Sequence, residues 1–261
     1  MACCSGYGSH KGTTTPRTFM SAFTGKQVLV TGAASGIGEA TARLLRSEGA
    51  HVLITDINDD LGTAVAAEIG ADYQHLDVRD SAAWVAIAAS RPWDFAVLNA
   101  GAGARFEDLR EVPDELFETV MDTNIGGVFY GTRELFRSMA DRGGAISVTS
   151  SIAGLAAHVQ SPIYGASKWA TIGWIRSIAP SLFEKGVIVN GVCPGLVDTP
   201  ILGPGGGERM RQMGFKVIDA IEVAQAHLAS LQHQEPGTIF TVQAEVPVGI
   251  QALQPVTGYQ G

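Results

Sequence analysis

Cysteine is scarce in this chain. Its 261 residues include three, Cys3, Cys4 and Cys193, and two of these are adjacent near the N-terminus. That is no disulfide framework, and it suits a reducing compartment such as the cytoplasm. Charge is sparse too: 17% of residues are charged, and the formal net charge is -8. An acidic chain binds polyanions poorly, which argues against nucleic acid and anionic membrane as partners. No apolar run reaches the ~20 residues a membrane helix needs. Residues 1–22 lack an apolar h-region and so do not read as a secretory signal. There is no HExxH and no CxxC cluster, so no metal is expected. Neither an internal repeat nor a second domain boundary is visible.

What is present is enough for one large core. The chain is 46% hydrophobic, and α/β domains of this length are often single. Residues 1–22, rich in Gly, Ser and Thr, read as a disordered extension or a tag, with Met20 a candidate natural start. The domain is expected over residues 23–243, with a small substrate lobe at 198–216. Residues 244–261 form a tail that either wraps a neighbouring subunit or frays.

Gln27–Thr31 is a β-branched apolar run, which predicts a buried parallel strand. Gly32-Ala-Ala-Ser35-Gly36-Ile37-Gly38 follows, and then a helical pattern over 39–48. Strand, glycine turn and helix make a phosphate-binding arrangement, in which glycines let backbone N–H groups approach a pyrophosphate. A second strand, 51–55, ends at Asp56. A carboxylate there either binds adenosine ribose hydroxyls and repels a 2′-phosphate, or caps the next helix, or does both. No Lys or Arg stands between Gly32 and Gly38 or immediately after Asp56, where Ile57 follows, so NAD is favoured over NADP.

Strands are expected at 73–76, 95–98, 145–149, 187–192 and 238–242, alternating with helices at 59–69, 82–89, 115–141, 161–184 and 218–231. This alternation predicts a doubly wound three-layer α/β sandwich, a single domain with a mainly parallel seven-stranded sheet. Ligands in such sheets sit at the carboxyl ends of strands. Asp56, Asp77 and Asn99-Ala100-Gly101 all fall there. Asn124 lies inside a predicted helix, where Asn is unfavourable unless it has a polar task or faces solvent. Residues 201–215, with clustered glycines and two methionines, suit either a mobile lid over an apolar ligand or a plain surface loop.

Tyr164-Gly-Ala-Ser-Lys168 puts a phenol and an ammonium four apart on one helix face. A free phenol titrates near ~10 and is a poor proton shuttle at neutral pH. A cation one turn away favours the phenolate, so the pair can serve as acid or base at an alcohol or ketone oxygen. A core aromatic beside a solvated lysine is the plainer alternative.

Taken in order, Thr31-Gly32-x-x-x-Gly36-x-Gly38, Asp56, Asp77, Asn99-Ala100-Gly101, Asn124, Ser151, Tyr164-x-x-x-Lys168, and Pro194-Gly195 with Thr199 resemble the short-chain dehydrogenase/reductase family from about residue 23 to 242. The resemblance implies hydride transfer between NAD and a secondary alcohol or ketone, with an apolar, aromatic, steroid- or lipid-like substrate. It implies Tyr164 as general acid/base, Lys168 lowering its pKa and binding the nicotinamide ribose, and Ser151, with Ser150 as rival, on the substrate oxygen. Asn124 would hold a water that links Lys168 to solvent. Gly32, Ser35, Gly36, Ile37 and Gly38 would cradle the adenosine and pyrophosphate end, with Asp56 and Ile57 beside the ribose. Asp77 and Val78 would flank the adenine, and Asn99, Ala100 and Gly101 would line the cofactor cleft. Pro194, Gly195, Val197 and Thr199 would hold the carboxamide.

The resemblance also implies a homotetramer or homodimer, and Phe136, Met139, Trp169, Ile172 and Ile175 offer apolar surface for it. Two features depart from the family pattern. Leu98 stands where many members have a second Asn. The chain reads Thr241-Val-Gln-Ala-Glu-Val where many have V-D-G-G, which is closer to members acting on hydroxylated lipids. Two other functions fit the same motifs: a cofactor-binding regulator without turnover, and an epimerase or dehydratase that recycles its nicotinamide.

Overall fold

The protein is described here from a computed structural model, which covers residues 21–104 and 108–252. The expected N-terminal extension up to residue 20, and the tail beyond residue 252, lie outside the described residues. Strand β1 (Gln27–Thr31) is the pivot. Its Val28, Leu29 and Val30 are all fully buried. Side chains alternate across a strand, so burial of all three requires cover on both faces. Val28 and Val30 share a cluster with Ala42 and Leu45 of α1 (Gly36–Ser47) and Leu228 and Leu231 of α8 (Ala220–Gln232). Leu29 belongs to the opposite cluster. There it joins Trp84 and Ile87 of α3 (Ser81–Ala89), Leu135 of α5 (Gly127–Met139) and Ile175 of α6 (Pro162–Phe183). Each such aliphatic side chain contributes about 1.5–3 kcal/mol by leaving water.

The other strands are β2 (His51–Asp56), β3 (Asp72–His75), β4 (Phe95–Leu98), β5 (Gly144–Thr149), β6 (Val187–Pro194), β7 (Ile239–Gln243) and β8 (Val246–Ile250). Their order is β3-β2-β1-β4-β5-β6-β7-β8, parallel throughout except for the antiparallel pair β7/β8. The chain runs outward from β1 in one direction and then from β4 in the other. That switch opens a crevice at the carboxyl ends of β1 and β4, the place where open α/β sheets bind ligands. The mainly parallel, doubly wound single domain is thus as expected.

Four expectations need correction. The sheet has eight strands, not seven: part of the expected tail forms β8, an exposed edge strand against β7. The single helix expected over 115–141 is α4 (Asp114–Met121), a π-helical turn (Asp122–Gly126) and α5. Residues 201–215 are not a plain loop: they hold a 3-10 turn that begins at Pro200 and helix α7 (Gly206–Gln212), with Arg211 Nη1 bonded to Asp198 Oδ2 at 2.8 Å. Finally, Met139, Ile172 and Ile175 are core residues rather than spare surface, because α5 and α6 turn them onto the sheet; Trp169 alone of the five is exposed, at 52%. The remaining helix, α2 (Asp59–Ile69), is capped by Asn58, whose side chain accepts from Leu61 N.

Candidate active site

The turn after β1 is pressed against its neighbours. Gly32 and Gly36 adopt left-handed backbone, φ 63° and 57°, which favours glycine. A Cβ on Gly32 would lie 2.7 Å from Ala100 Cα, and one on Gly38 would lie 2.2 Å from Gly32 O and 2.6 Å from Asn99 Nδ2. A Cβ on Gly36 would meet Thr199 Cγ2 at 3.1 Å. The glycine turn, Asn99-Ala100-Gly101 and Thr199 therefore converge at one crevice. Ser35 caps α1 without a side-chain hydrogen bond, so the first-turn N–H groups are left for an anion.

Asp56 closes one end of this crevice. Its Oδ2 accepts from Ala34 N and its Oδ1 from Asn58 N, each at 3.0 Å. It is not the cap of α2, since Asn58 is. Ile57 next to it is 64% exposed. Asp77 is paired with Arg79, whose guanidinium bonds both carboxylate oxygens and holds the acid below its usual range. Val78 is buried, close against Gly127.

Across the crevice, Asn99 N and Ala100 N donate to Thr31 Oγ1, and Asn99 Nδ2 donates to Thr31 O and Gly32 O. Asn124 is fully buried in the π-helical turn. Its Oδ1 accepts from Ala102 N at 2.7 Å, and its Nδ2 donates to Ala102 O and Ser167 Oγ, each at 2.9 Å. The looser winding leaves the Asn124 carbonyl to Thr171 Oγ1 at 3.3 Å. The alternative of a solvent-facing Asn is thereby overturned.

Tyr164 and Lys168 share a face of α6, as their spacing requires. Lys168 Nζ lies 5.5 Å from the Tyr164 ring centroid and donates to Thr149 O at 3.0 Å. Burial pushes the ammonium down to about 8. The expected lowering of the Tyr164 pKa is not what the chain alone shows. Burial raises it, and the neighbouring Ser151 hydroxyl only opposes that rise. Ser151 Oγ accepts from Ala153 N at 3.1 Å, whereas Ser150 Oγ donates to Lys168 O. Ser150 is thus spent on main chain, and Ser151 is the hydroxyl at Tyr164. Beneath them Cys193 is a buried free thiol, pushed up to about 11 by that burial.

On the far side, Gly195 N donates to Val242 O, and Val197 is buried in a bridge with Ile218. Ile37 packs against that same cluster, and Pro194 ends β6. The sequence singled out neither Thr149, which holds Lys168, nor His227. A histidine set among the buried Val223, Ala226, Leu228 and Leu231 of α8 is the signal that was there to find.

These residues fit a nicotinamide dinucleotide. The glycine turn admits no extra Cβ, an uncapped helix start faces it, and a carboxylate stands at the end of β2. Among the described residues no cluster of three or more His, Cys, Asp or Glu could hold a metal, and no helix is long and apolar enough to cross a membrane.

Known proteins align with this arrangement. A family profile described as short chain dehydrogenase matches residues 26–206. A 2-dehydro-3-deoxy-L-rhamnonate dehydrogenase (NAD(+)) of Sphingomonas sp. is 36% identical over 191 residues, 70% of this chain and 77% of the relative. A 3-alpha-(or 20-beta)-hydroxysteroid dehydrogenase of Mycobacterium bovis is 38% identical over 185 residues, 68% of this chain and 71% of the relative. A solved structure described as a short chain dehydrogenase/reductase family protein superposes with a TM-score of 0.75 at 30% identity, covering 85% of this chain and 97% of its own. With the crevice, the glycine turn and the Tyr164–Lys168 helix in one sheet, the chain belongs to the short-chain dehydrogenase/reductase family and is an oxidoreductase.

Proposed function

We propose that this oxidoreductase moves hydride between NAD and a secondary alcohol or ketone of apolar, steroid- or lipid-like character. One observation carries the reading: the Ser151 hydroxyl, the Tyr164 phenol and the buried Lys168 ammonium meet beside the glycine turn, with Gly101 between Lys168 Nζ and Asn124 Oδ1. A bound nicotinamide supplies the hydride acceptor or donor. The chain supplies the rest. Tyr164 takes the alcohol proton in oxidation and returns it in reduction. Ser151 Oγ, which accepts from Ala153 N, keeps its own proton to donate to the substrate oxygen. Lys168 favours the phenolate and binds ribose hydroxyls, and Asn124 holds the backbone around it in place for a proton path to solvent.

Exposed Ile152, Val159 and Ile201 support an apolar substrate. Ile152 adjoins Ser151, Ile201 comes within 3.3 Å of a Cβ on Gly103, and the His158 ring beside Val159 stands 6.0 Å from Tyr164. A relative named as a hydroxysteroid dehydrogenase is consistent with this. NAD is supported by Asp56, whose carboxylate would accept from ribose hydroxyls and repel a 2′-phosphate. Hydrogen bonds to the ribose of NAD and repulsion of the phosphate of NADP together amount to a few kcal/mol, about a hundredfold in preference. The free thiol of Cys193 suits a cytoplasmic location; recovery of the protein from an oxidising compartment would contradict that.

The test is absorbance at the NADH band with a panel of steroid, terpenoid and short-chain secondary alcohols, run with NAD and with NADP. The expected result is turnover with apolar alcohols and a kcat/KM about a hundredfold higher with NAD. Asp56→Ala should flatten that preference, mainly by weakening NAD. Equal use of NADP by the unmodified chain would contradict the role of Asp56. Coenzyme binding with no turnover on any alcohol would favour a regulator.

A further inference from the structure

Under the crevice, on the sheet face that α8 covers, runs a row of buried polar side chains for which the reaction above has no use. Ser147 and Thr149 are alternate residues of β5 and face α8. His227 bridges them: Nδ1 lies 2.8 Å from Ser147 Oγ, and Nε2 lies 3.0 Å from Thr149 Oγ1. Ser230 Oγ lies 2.9 Å from Ser147 Oγ, and its carbonyl accepts from Asn190 Nδ2 at 3.3 Å. At the other end Thr149 Oγ1 donates to Asn99 Oδ1 at 3.1 Å. His227 and Ser147 are 0% exposed, and Ser230 is 1% exposed.

The chemistry of the ends sets the protons. Main-chain carbonyls only accept, so Asn99 must turn its NH2 to Thr31 O and Gly32 O and its Oδ1 to Thr149. The single proton of Thr149 then goes to Asn99, and its oxygen accepts from His227 Nε2–H. Nδ1 is left as the acceptor that faces Ser147. A neutral imidazole satisfies each link, and burial, which pushes His227 down to about 3, keeps it neutral. An apolar residue at 227 would leave Thr149 free to rotate and Asn99 Oδ1 without a fixed donor.

We infer that His227 is a positioning residue for the coenzyme site: through Thr149 and Asn99 it fixes the main chain at Gly32, and so sets coenzyme affinity rather than the chemical step. The inference rests on the proposed function, since it presumes that this crevice binds a nicotinamide coenzyme.

The test measures the dissociation constant of NADH by fluorescence on the purified full chain, together with kcat and the coenzyme KM. His227→Val and Thr149→Val should each weaken NADH about tenfold, as expected when a buried acceptor loses its donor. In His227→Val, kcat at saturating coenzyme and the pH–rate profile should stay close to wild type. Thr149→Ser, which keeps the hydroxyl, should restore affinity, and the double variant should bind no worse than either single one, because both act along one path. If His227→Val does not fold, the contrast between Thr149→Val and Thr149→Ser decides. Variants that melt earlier yet bind NADH like wild type would overturn the inference and leave the proposed function standing. A wild-type chain that binds neither NADH nor NADPH would overturn both.

Discussion

Lys168 is 3% exposed, and its Nζ spends one proton on the Thr149 carbonyl. Its burial costs the ammonium part of its stability, so it titrates near 8 rather than near its ordinary value. Tyr164 beside it is raised by the same burial. Under the proposed reaction the phenolate is the active form in alcohol oxidation, and a cation favours it. Lys168→Met should therefore move the rising limb of the oxidation rate to higher pH. The ratio of wild-type to mutant kcat/KM should be largest below pH 8, where Lys168 carries its proton, and should shrink above it as that charge is lost. A pH–rate profile that keeps its position in a mutant with measurable activity would remove Lys168 from the proton chemistry. The Tyr–Lys pair was legible in the sequence because four-residue spacing alone puts both groups on one helix face. The sign of the Tyr164 shift was not, because it depends on how deeply the tertiary fold buries the ring.

At the scale of elements, the π-helical turn between α4 and α5 carries Asn124 into the core, where the carboxamide pairs with both main-chain groups of Ala102. Among the described residues the segment after β4 has no strand partner there, and Asn124 replaces one. Asn124→Ala would take their partner from the part-buried N–H and C=O of Ala102, at up to about 1–3 kcal/mol each. Urea unfolding should show a loss of that order, with coenzyme binding weakened; a midpoint shift within error would contradict this bracing role. Propensity flagged Asn124 as out of place in a helix but could not show the change of winding, which rests on contacts with α6 forty and more residues away. Strands β1, β2 and β5 to β7, rich in β-branched residues, were legible because that signal is local. Strand β8 was not. It holds Pro247 and Gly249, is buried on neither face, and owes its form to pairing with β7. The row from Ser147 to His227 was equally hidden, since it joins residues eighty apart.

At the scale of the molecule, two exposed aromatic side chains stand on neighbouring helices. Trp169 on α6 is 52% exposed and Phe117 on α4 is 50% exposed, and α4 packs against α6. A second copy covering this face is our proposal for assembly, as a homodimer or a homotetramer. Light scattering at micromolar concentration should give the mass of two or four chains, and the mass of one chain would contradict it. The edge strand β8, with Val246, Val248 and Ile250 exposed, is a further open side of the sheet.

In the proposed reaction Tyr164 is the group that moves the proton. Tyr164→Phe keeps the ring, its packing beside His158 and the place of Lys168, and removes one oxygen. The decisive measurement is kcat for an alcohol that the wild type oxidises, taken with the NADH dissociation constant of the same two proteins. The predicted result is a loss in kcat of about a thousandfold with NADH bound as tightly as by the wild type. A mutant that turns over at the wild-type rate would contradict the mechanism at its centre.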